Sequence, residues 1–156
     1  DEANTSFARF IEDDYEGWVN KEDKNKPLLS HEIFRERVFP LMKQSTGPVY
    51  FVLIDNLRFD QWKILEPHIA EYFTVDQEET YYSILPTTTA YARNAIFAGM
   101  LPAEIQKRYP NLWVNDDDDE GKNLHEPEFL EINFQQNRVT DKFSYHKITN
   151  LDAGKE

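Results

Sequence analysis

The stretch that decides the fold is residues 49–54, Val-Tyr-Phe-Val-Leu-Ile, which Asp55 follows directly. Aromatic and β-branched residues fill it without interruption, a pattern typical of a strand that is covered on both faces. Gly47-Pro48 breaks the chain just before it. We therefore predict a central strand of a parallel sheet, with Asp55 at its carboxyl end.

Downstream of this strand, helical and extended patterns alternate along the chain. Apolar spacing predicts helices over residues 59–72, 90–98, 103–109 and 126–137, and short strands over 73–75, 81–85 and 143–148. Gly99 follows the second of these helices, where a C-terminal cap belongs. Alternation of this kind favours right-handed crossovers, an α/β fold and ligand sites outside the carboxyl ends of the strands.

Upstream, residues 1–46 are predicted to be a helical lead-in or linker to a domain over residues 47–156. Apolar residues at helical spacing predict one helix over 7–19 and a second from a Ser30 cap to about Gln44. The acidic tract 116–120 lacks the spacing of a calcium loop, so it is predicted to be a solvated loop.

Composition narrows the class of protein. The chain has 156 residues, of which 40% are hydrophobic, enough for one compact core. It opens on Asp1 rather than on a methionine, and both ends suggest an excerpt of a longer protein. It has no signal-peptide pattern and no apolar run near the roughly 20 residues that span a bilayer, so we expect a cytoplasmic location.

Charge and cysteine content restrict the ligands. The formal net charge of −12 repels polyanions, which argues against a protein that reads DNA grooves. A phosphodiester could still bind at a divalent cation, because such an ion dominates the charge of its own site. Since the chain has no cysteine, a metal would be held by oxygen atoms or by the four histidines.

Two polar groups are predicted at the same edge of the sheet. Asp55 follows one strand, and Thr87-Thr88-Thr89 lies between a predicted strand and the helix that begins near Ala90. A threonine at a helix N-terminus meets unpaired N–H groups, which favour a phosphate and an alkoxide. A cation held by Asp55 would activate that hydroxyl further. Alternatively, Asp55 and the threonines are plain helix caps.

The residues that carry this pattern resemble a family. Residues 52–60, Val-Leu-Ile-Asp-Asn-Leu-Arg-Phe-Asp, and residues 85–102, Leu-Pro-Thr-Thr-Thr-Ala-Tyr-Ala-Arg-Asn-Ala-Ile-Phe-Ala-Gly-Met-Leu-Pro, are similar to the PglZ branch of the alkaline phosphatase superfamily. The resemblance implies that Asp55 binds a metal. It also implies that Thr89, placed by its spacing to the Gly-x-x-Pro at 99–102, is a nucleophile and a metal ligand.

Within that branch, residues 10–15 and 54–60 resemble PorX proteins, response regulators of the type IX secretion system. That resemblance implies a zinc-dependent phosphodiesterase, with two zinc ions, that acts on oligonucleotides and cyclic oligonucleotides. A sensor kinase, a sigma factor and a second copy of the chain are the implied partners. The family's remaining Asp and His ligands have no match before Glu156, so we expect this chain alone to be inactive.

Several alternatives stay open. Asn56, Arg58 and Arg93 are candidate substrate contacts, although each arginine could equally pair with a nearby carboxylate. The histidines show no metal-binding spacing and are not assigned to a metal. A catalytically silent signalling or dimerisation module is the competing function. A haloacid dehalogenase-type phosphatase is disfavoured because it needs an aspartate where Leu57 stands.

Overall fold

A computed structural model describes residues 1–20, 25–114, 123–150 and 152. These residues divide into two compact units. Unit 1 is formed by Asp1–Leu29 with Pro48–Tyr82, and unit 2 by Ser30–Gly47 with Ser83–Glu156. Each unit combines segments from both sides of the predicted boundary after residue 46, and that boundary stays a prediction.

Apart from the predicted helix over residues 30–44, the predicted helices form, with shifts of a few residues at their ends. In the described part of the chain the α-helices are α1 Glu2–Val19, α2 Phe39–Gln44, α3 Phe59–Ile69, α4 Thr89–Ala98, α5 Pro102–Arg108 and α6 Glu126–Gln136. The first helix begins five residues earlier than its apolar spacing predicts, and α3 ends before the predicted limit. Apolar periodicity therefore located every one of these helices, although not their exact ends.

The predicted helix over residues 30–44 is not a uniform α-helix. A short 3₁₀ turn at Ser30–Glu32 and a π-helical segment at Phe34–Val38 precede α2. Pro40 is the physical reason, because it has no N–H to donate to a carbonyl one turn earlier and its ring crowds that turn. The wider turn is closed instead by the Phe39 N–H, which donates to the Phe34 carbonyl five residues back.

The parallel sheet is not confirmed. Among the residues that the structure describes there is no β-strand, and residues 49–54, 73–75, 81–85 and 143–148 form none. Tyr50 and Val52 are 83% and 75% exposed rather than covered. A strand exists only through hydrogen bonds to a neighbouring strand. Among the described residues of unit 1, the parallel pairing is limited to one isolated bridge between Leu29 and Tyr82.

Unit 1 is held together by an aromatic cluster on α1. Trp18 is buried and lies 5.1 Å from the Tyr82 ring and 5.4 Å from the Phe10 ring, measured between centroids. The apolar stripe that predicted the helix thus faces other aromatic side chains. An ion pair also joins α3 to the segment that follows it, because the Lys63 ammonium lies 2.6 Å from the Glu78 carboxylate.

Unit 2 has its core around α4. Seven of the ten residues of this helix are buried, among them four alanines that let neighbouring segments approach closely. Phe97 contacts the rings of Phe34 and Tyr145. On the adjacent helix α6, Phe134 packs edge-on against Phe39, with 5.2 Å between the ring centroids. The helix that carries Thr89 therefore has the largest share of buried residues among the described α-helices of its unit.

Gly99 ends α4 in the left-handed conformation that its position predicts, with a φ of 64°. A Cβ placed on it would lie 2.6 Å from Oδ1 of Asn133. Asn133 has little freedom to move away, because its amide donates to the Phe97 carbonyl at 2.9 Å and its Oδ1 accepts from Asn137 at 2.9 Å. The cap thus combines a backbone requirement with a close approach of α4 to α6.

We expect Gly99→Ala to lower the free energy of unfolding by about 2 kcal/mol, from left-handed backbone strain together with the contact with Asn133. Urea unfolding followed by circular dichroism measures the change. The matched control is Gly17→Ala in α1, where an added Cβ meets nothing within 4 Å; its effect should be neutral or stabilising by less than about 1 kcal/mol. Equal stability losses in both variants would contradict the expectation.

Candidate functional site

Asp55 lies in an exposed turn of unit 1, directly after residues 49–54. The next residue, Asn56, has a φ of 57°, a left-handed conformation that asparagine tolerates better than most residues. The chain then enters α3 at Arg58, whose backbone N–H donates to the Gln61 side chain at 3.0 Å. Arg58 is therefore the N-cap of this helix, three residues after Asp55, and Gln61 completes the cap.

Thr89 is the first residue of α4 and is half-buried. The carbonyl of Thr88 accepts hydrogen bonds from the N–H groups of Tyr91 and Ala92 at 3.1 and 2.8 Å, which makes Thr88 the cap residue. The side chain of Thr88 makes no cap hydrogen bond to a described residue. N–H groups of the first turn of a helix have no partner within the helix, and such a terminus favours a bound anion.

Asp55 and Thr89 belong to different compact units. Their predicted convergence depends on two adjacent strands of a parallel sheet, and that sheet is not confirmed. Shared coordination of one ion by Asp55 and Thr89 consequently stays a prediction. What the structure does establish is the local setting of each residue: a turn after an extended segment for Asp55, and the N-terminus of a buried helix for Thr89.

Arg58 pairs with a carboxylate, the alternative that the sequence left open. Its Nε and Nη2 donate to the two carboxylate oxygens of Asp60, both at 2.9 Å, and the two side chains are exposed. The hydrogen bond from Arg58 lowers the pKa of Asp60, and the same contact raises the pKa of Arg58. An exposed pair of this kind is weak. A role of Asn56 and Arg58 in binding substrate stays a prediction.

Arg93 pairs much more tightly. Its Nε and Nη2 donate to the two carboxylate oxygens of Glu126 at 2.7 and 3.0 Å. The Arg93 side chain is 17% exposed and that of Glu126 is fully buried, at 0%. Charge-assisted, two-point pairs are the strong ones, and burial increases their weight. This arrangement disfavours the predicted contact of Arg93 with substrate, which stays a prediction.

Glu126 also contacts two residues of the segment after α6. The Tyr145 hydroxyl donates to its carboxylate, and the Lys147 ammonium lies 3.5 Å from it. Burial, and then the bond to Glu126, raise the pKa of Tyr145. We name Arg93, Glu126, Tyr145 and Lys147 the Glu126 cluster. It joins α4, α6 and residues 141–148 within unit 2.

Sequence reasoning missed this cluster. Glu126 is one of 29 acidic residues, and it lies 33 positions from Arg93, so no local pattern pairs them. The available signal was weak: an acid followed by Pro127 at the start of an apolar helix. That signal predicts where a helix begins, and it does not predict that the acid is buried.

The described residues do not form a complete zinc site. They include no group of three or more His, Asp or Glu side chains that could hold a metal ion, and tight zinc sites use about three or four protein ligands. His125 is near Glu128 instead, with 3.1 Å between its Nδ1 and the carboxylate. The acidic tract 116–120 lies outside the described residues.

None of the described helices combines the length and apolar character needed to cross a membrane.

Comparison with known proteins gives a family. The search of curated proteins finds no match. The family model described as the BREX system PglZ alkaline phosphatase-like domain matches residues 33–156, well over half of the chain. The matched region includes Asp55, α4 and the Glu126 cluster, and it points to a superfamily of phosphoesterase-type hydrolases. The chain therefore belongs to the PglZ family of alkaline phosphatase-like domains.

Proposed function

We propose that this chain is part of a phosphodiesterase in which Thr89 is the nucleophile. The observation that carries the proposal is the position of Thr89 as the first residue of a buried helix in a PglZ-family chain. N–H groups and the helix dipole at that terminus favour the negative charge of a phosphate and of an alkoxide. The surroundings of Thr89 thus match what attack on phosphorus needs.

In the proposed reaction the Thr89 oxygen attacks phosphorus, and the ester oxygen opposite it leaves as an alcohol. Water then cleaves the phosphothreonine and restores the hydroxyl. Two features of the chain support these steps. The terminus of α4 stabilises charge that builds up on the phosphoryl oxygens, and the buried contacts of α4 keep Thr89 in place without a reorganisation of the backbone.

Zinc is the proposed cofactor, with Asp55 and Thr89 as the ligands that this chain contributes. When bound, it would lower the pKa of the attacking hydroxyl and polarise the phosphoryl group. Oligonucleotides, including cyclic ones, are the proposed substrates. We also propose that the domain is the output of a response regulator that works with a sensor kinase and a sigma factor. The resemblance to PorX proteins supports these finer assignments.

The test is hydrolysis of bis(p-nitrophenyl) phosphate by the full-length protein, with its zinc content measured in parallel. We expect turnover that is lost on chelation and restored by zinc, and a lower zinc content in Asp55→Asn. The matched control is Asp60→Asn, an exposed acid that already pairs with Arg58; its zinc content should equal that of the wild type. Activity indifferent to the chelator would contradict the metal assignment.

A second candidate, a signalling or dimerisation module, is favoured by the exposed apolar side chains of unit 1. Tyr50, Val52, Tyr72 and Phe73 are each at least 70% exposed, and surfaces of this kind often mark protein contacts. Light scattering and partner pull-down with an Asp55→Ala, Thr89→Ala double variant separate the two functions. Retained association and signalling without hydrolysis would favour the module, and their loss in a folded variant would favour catalysis.

A further inference from the structure

We infer that Glu126 is a positioning residue for the reaction at Thr89, an inference that rests on the proposed function. Glu126 is the first residue of α6, is fully buried and holds Arg93 of α4 at 2.7 and 3.0 Å. It therefore fixes one helix against another at a defined point. A buried carboxylate makes such contacts geometrically strict, because a displaced partner would leave it uncompensated.

The connection from Arg93 to Thr89 is one helical turn. Four residues rise about 6 Å along a helix and return to nearly the same face. The side chain of Asn94, the residue after Arg93, donates to the Ala90 carbonyl at 2.8 Å and adds a hydrogen bond within the first turns of the helix. Because α4 is regular over this distance, a displacement at Arg93 also displaces the Thr89 hydroxyl.

Tyr145 and Lys147 complete the arrangement from a third segment of the chain. The Tyr145 hydroxyl donates to the same carboxylate, and its ring contacts Phe97 of α4 at a centroid distance of 5.7 Å. The carboxylate is thus held from α4 and from residues 141–148 at once. None of these groups needs to touch the substrate for its loss to misplace the nucleophile.

The decisive variant is Glu126→Gln, which keeps the size of the side chain and removes its charge. We expect kcat in the full-length protein to fall about 10-fold to 100-fold, since small misplacements of reacting groups have effects of that size. KM should change less than about threefold, because Glu126 makes no substrate contact in the proposed reaction. A loss of kcat at constant KM is the signature of an interaction that acts only in the transition state.

Two controls separate positioning from general stability. Phe129→Leu removes a fully buried ring that belongs to the same helix but not to the Glu126 cluster. It should lower stability, and its kcat should stay near the wild-type value at temperatures where the protein is folded. Glu104→Gln breaks an exposed pair with Arg108 in α5, 2.7 Å apart, and should leave kcat and KM unchanged. Urea unfolding gives the stability of each variant.

Arg93→Lys is a second variant for the case in which Glu126→Gln does not fold. It keeps the opposite charges but loses the two-point geometry, and we expect the same fall in kcat at constant KM. Wild-type kcat in either folded variant, or an equal fall in Phe129→Leu, would overturn the inference. If those results are found together with an inactive Thr89→Ala, the inference about Glu126 fails but the proposed function is still supported. A fully active Thr89→Ala would defeat the proposed function itself.

Discussion

Thr89→Ala in the full-length protein is expected to lower kcat for bis(p-nitrophenyl) phosphate by about 10³-fold or more. The size follows from the role, because an enzyme without its nucleophile retains only what binding and charge stabilisation supply. Folding should be unaffected. Alanine is a good helix former, and the cap carbonyl of α4 comes from Thr88.

The neighbouring threonines provide matched controls for this prediction. Thr87 and Thr88 are exposed, and Thr88 makes no side-chain cap bond to a described residue. Thr87→Ala and Thr88→Ala should therefore retain kcat within about threefold, whereas Thr89→Ser, which keeps a hydroxyl, should retain it within about tenfold. A loss of kcat confined to Thr87→Ala or Thr88→Ala would show that the nucleophile is that threonine rather than Thr89, and would contradict the proposal.

A chemical readout complements the kinetics. Acid quenching of the wild type during turnover should leave a phosphoryl group on the peptide that contains Thr89, detectable by mass spectrometry. The Thr89→Ala protein should show none. Labelling of the same peptide in Thr89→Ala would point to Thr87 or Thr88, and a wild type that is never labelled under rapid quenching would argue against a covalent intermediate.

Helices were predictable from this sequence because their signals are local. The spacing of Phe7, Ile11 and Trp18 predicted α1, and a glycine at position 99 predicted the end of α4. Each signal lies within a few residues of the feature that it predicts, and each rests on one helix face or one dihedral angle. The irregular turns before α2 follow from Pro40, whose effect the spacing of apolar residues does not reveal.

The sheet and the contacts of the candidate site were harder to predict from the sequence, for one common reason. Residues 49–54 have the pattern of a strand, yet a strand requires a neighbouring strand to pair with, and the pattern does not identify that neighbour. The pairing of Arg93 with Glu126 likewise joins residues 33 positions apart. The sequence showed that Arg93 could bind either a phosphate or a carboxylate, and packing decided that it contacts the carboxylate. Long-range contacts of this kind depend on the assembled core rather than on any local pattern.

The largest expected effect on stability is that of Arg93→Leu. It leaves the fully buried Glu126 without its two-point partner, and breaking a buried pair in this way lowers the free energy of unfolding by about 3 kcal/mol or more. Tyr145 and Lys147 remain near the carboxylate and limit the loss. Urea unfolding monitored by tryptophan fluorescence and by circular dichroism measures it.

The double variant Arg93→Leu, Glu126→Leu tests the cause of that loss. If the uncompensated charge is responsible, removing it restores much of the stability, so the two substitutions together cost less than the sum of their separate effects. The control is the exposed pair of Arg108 and Glu104, where the corresponding double variant should be additive within about 0.5 kcal/mol. Additive losses of stability at Arg93 and Glu126 would mean that the pair contributes packing rather than charge. If the double variant is stable and its kcat equals that of the wild type, the reason to link Glu126 to Thr89 is removed.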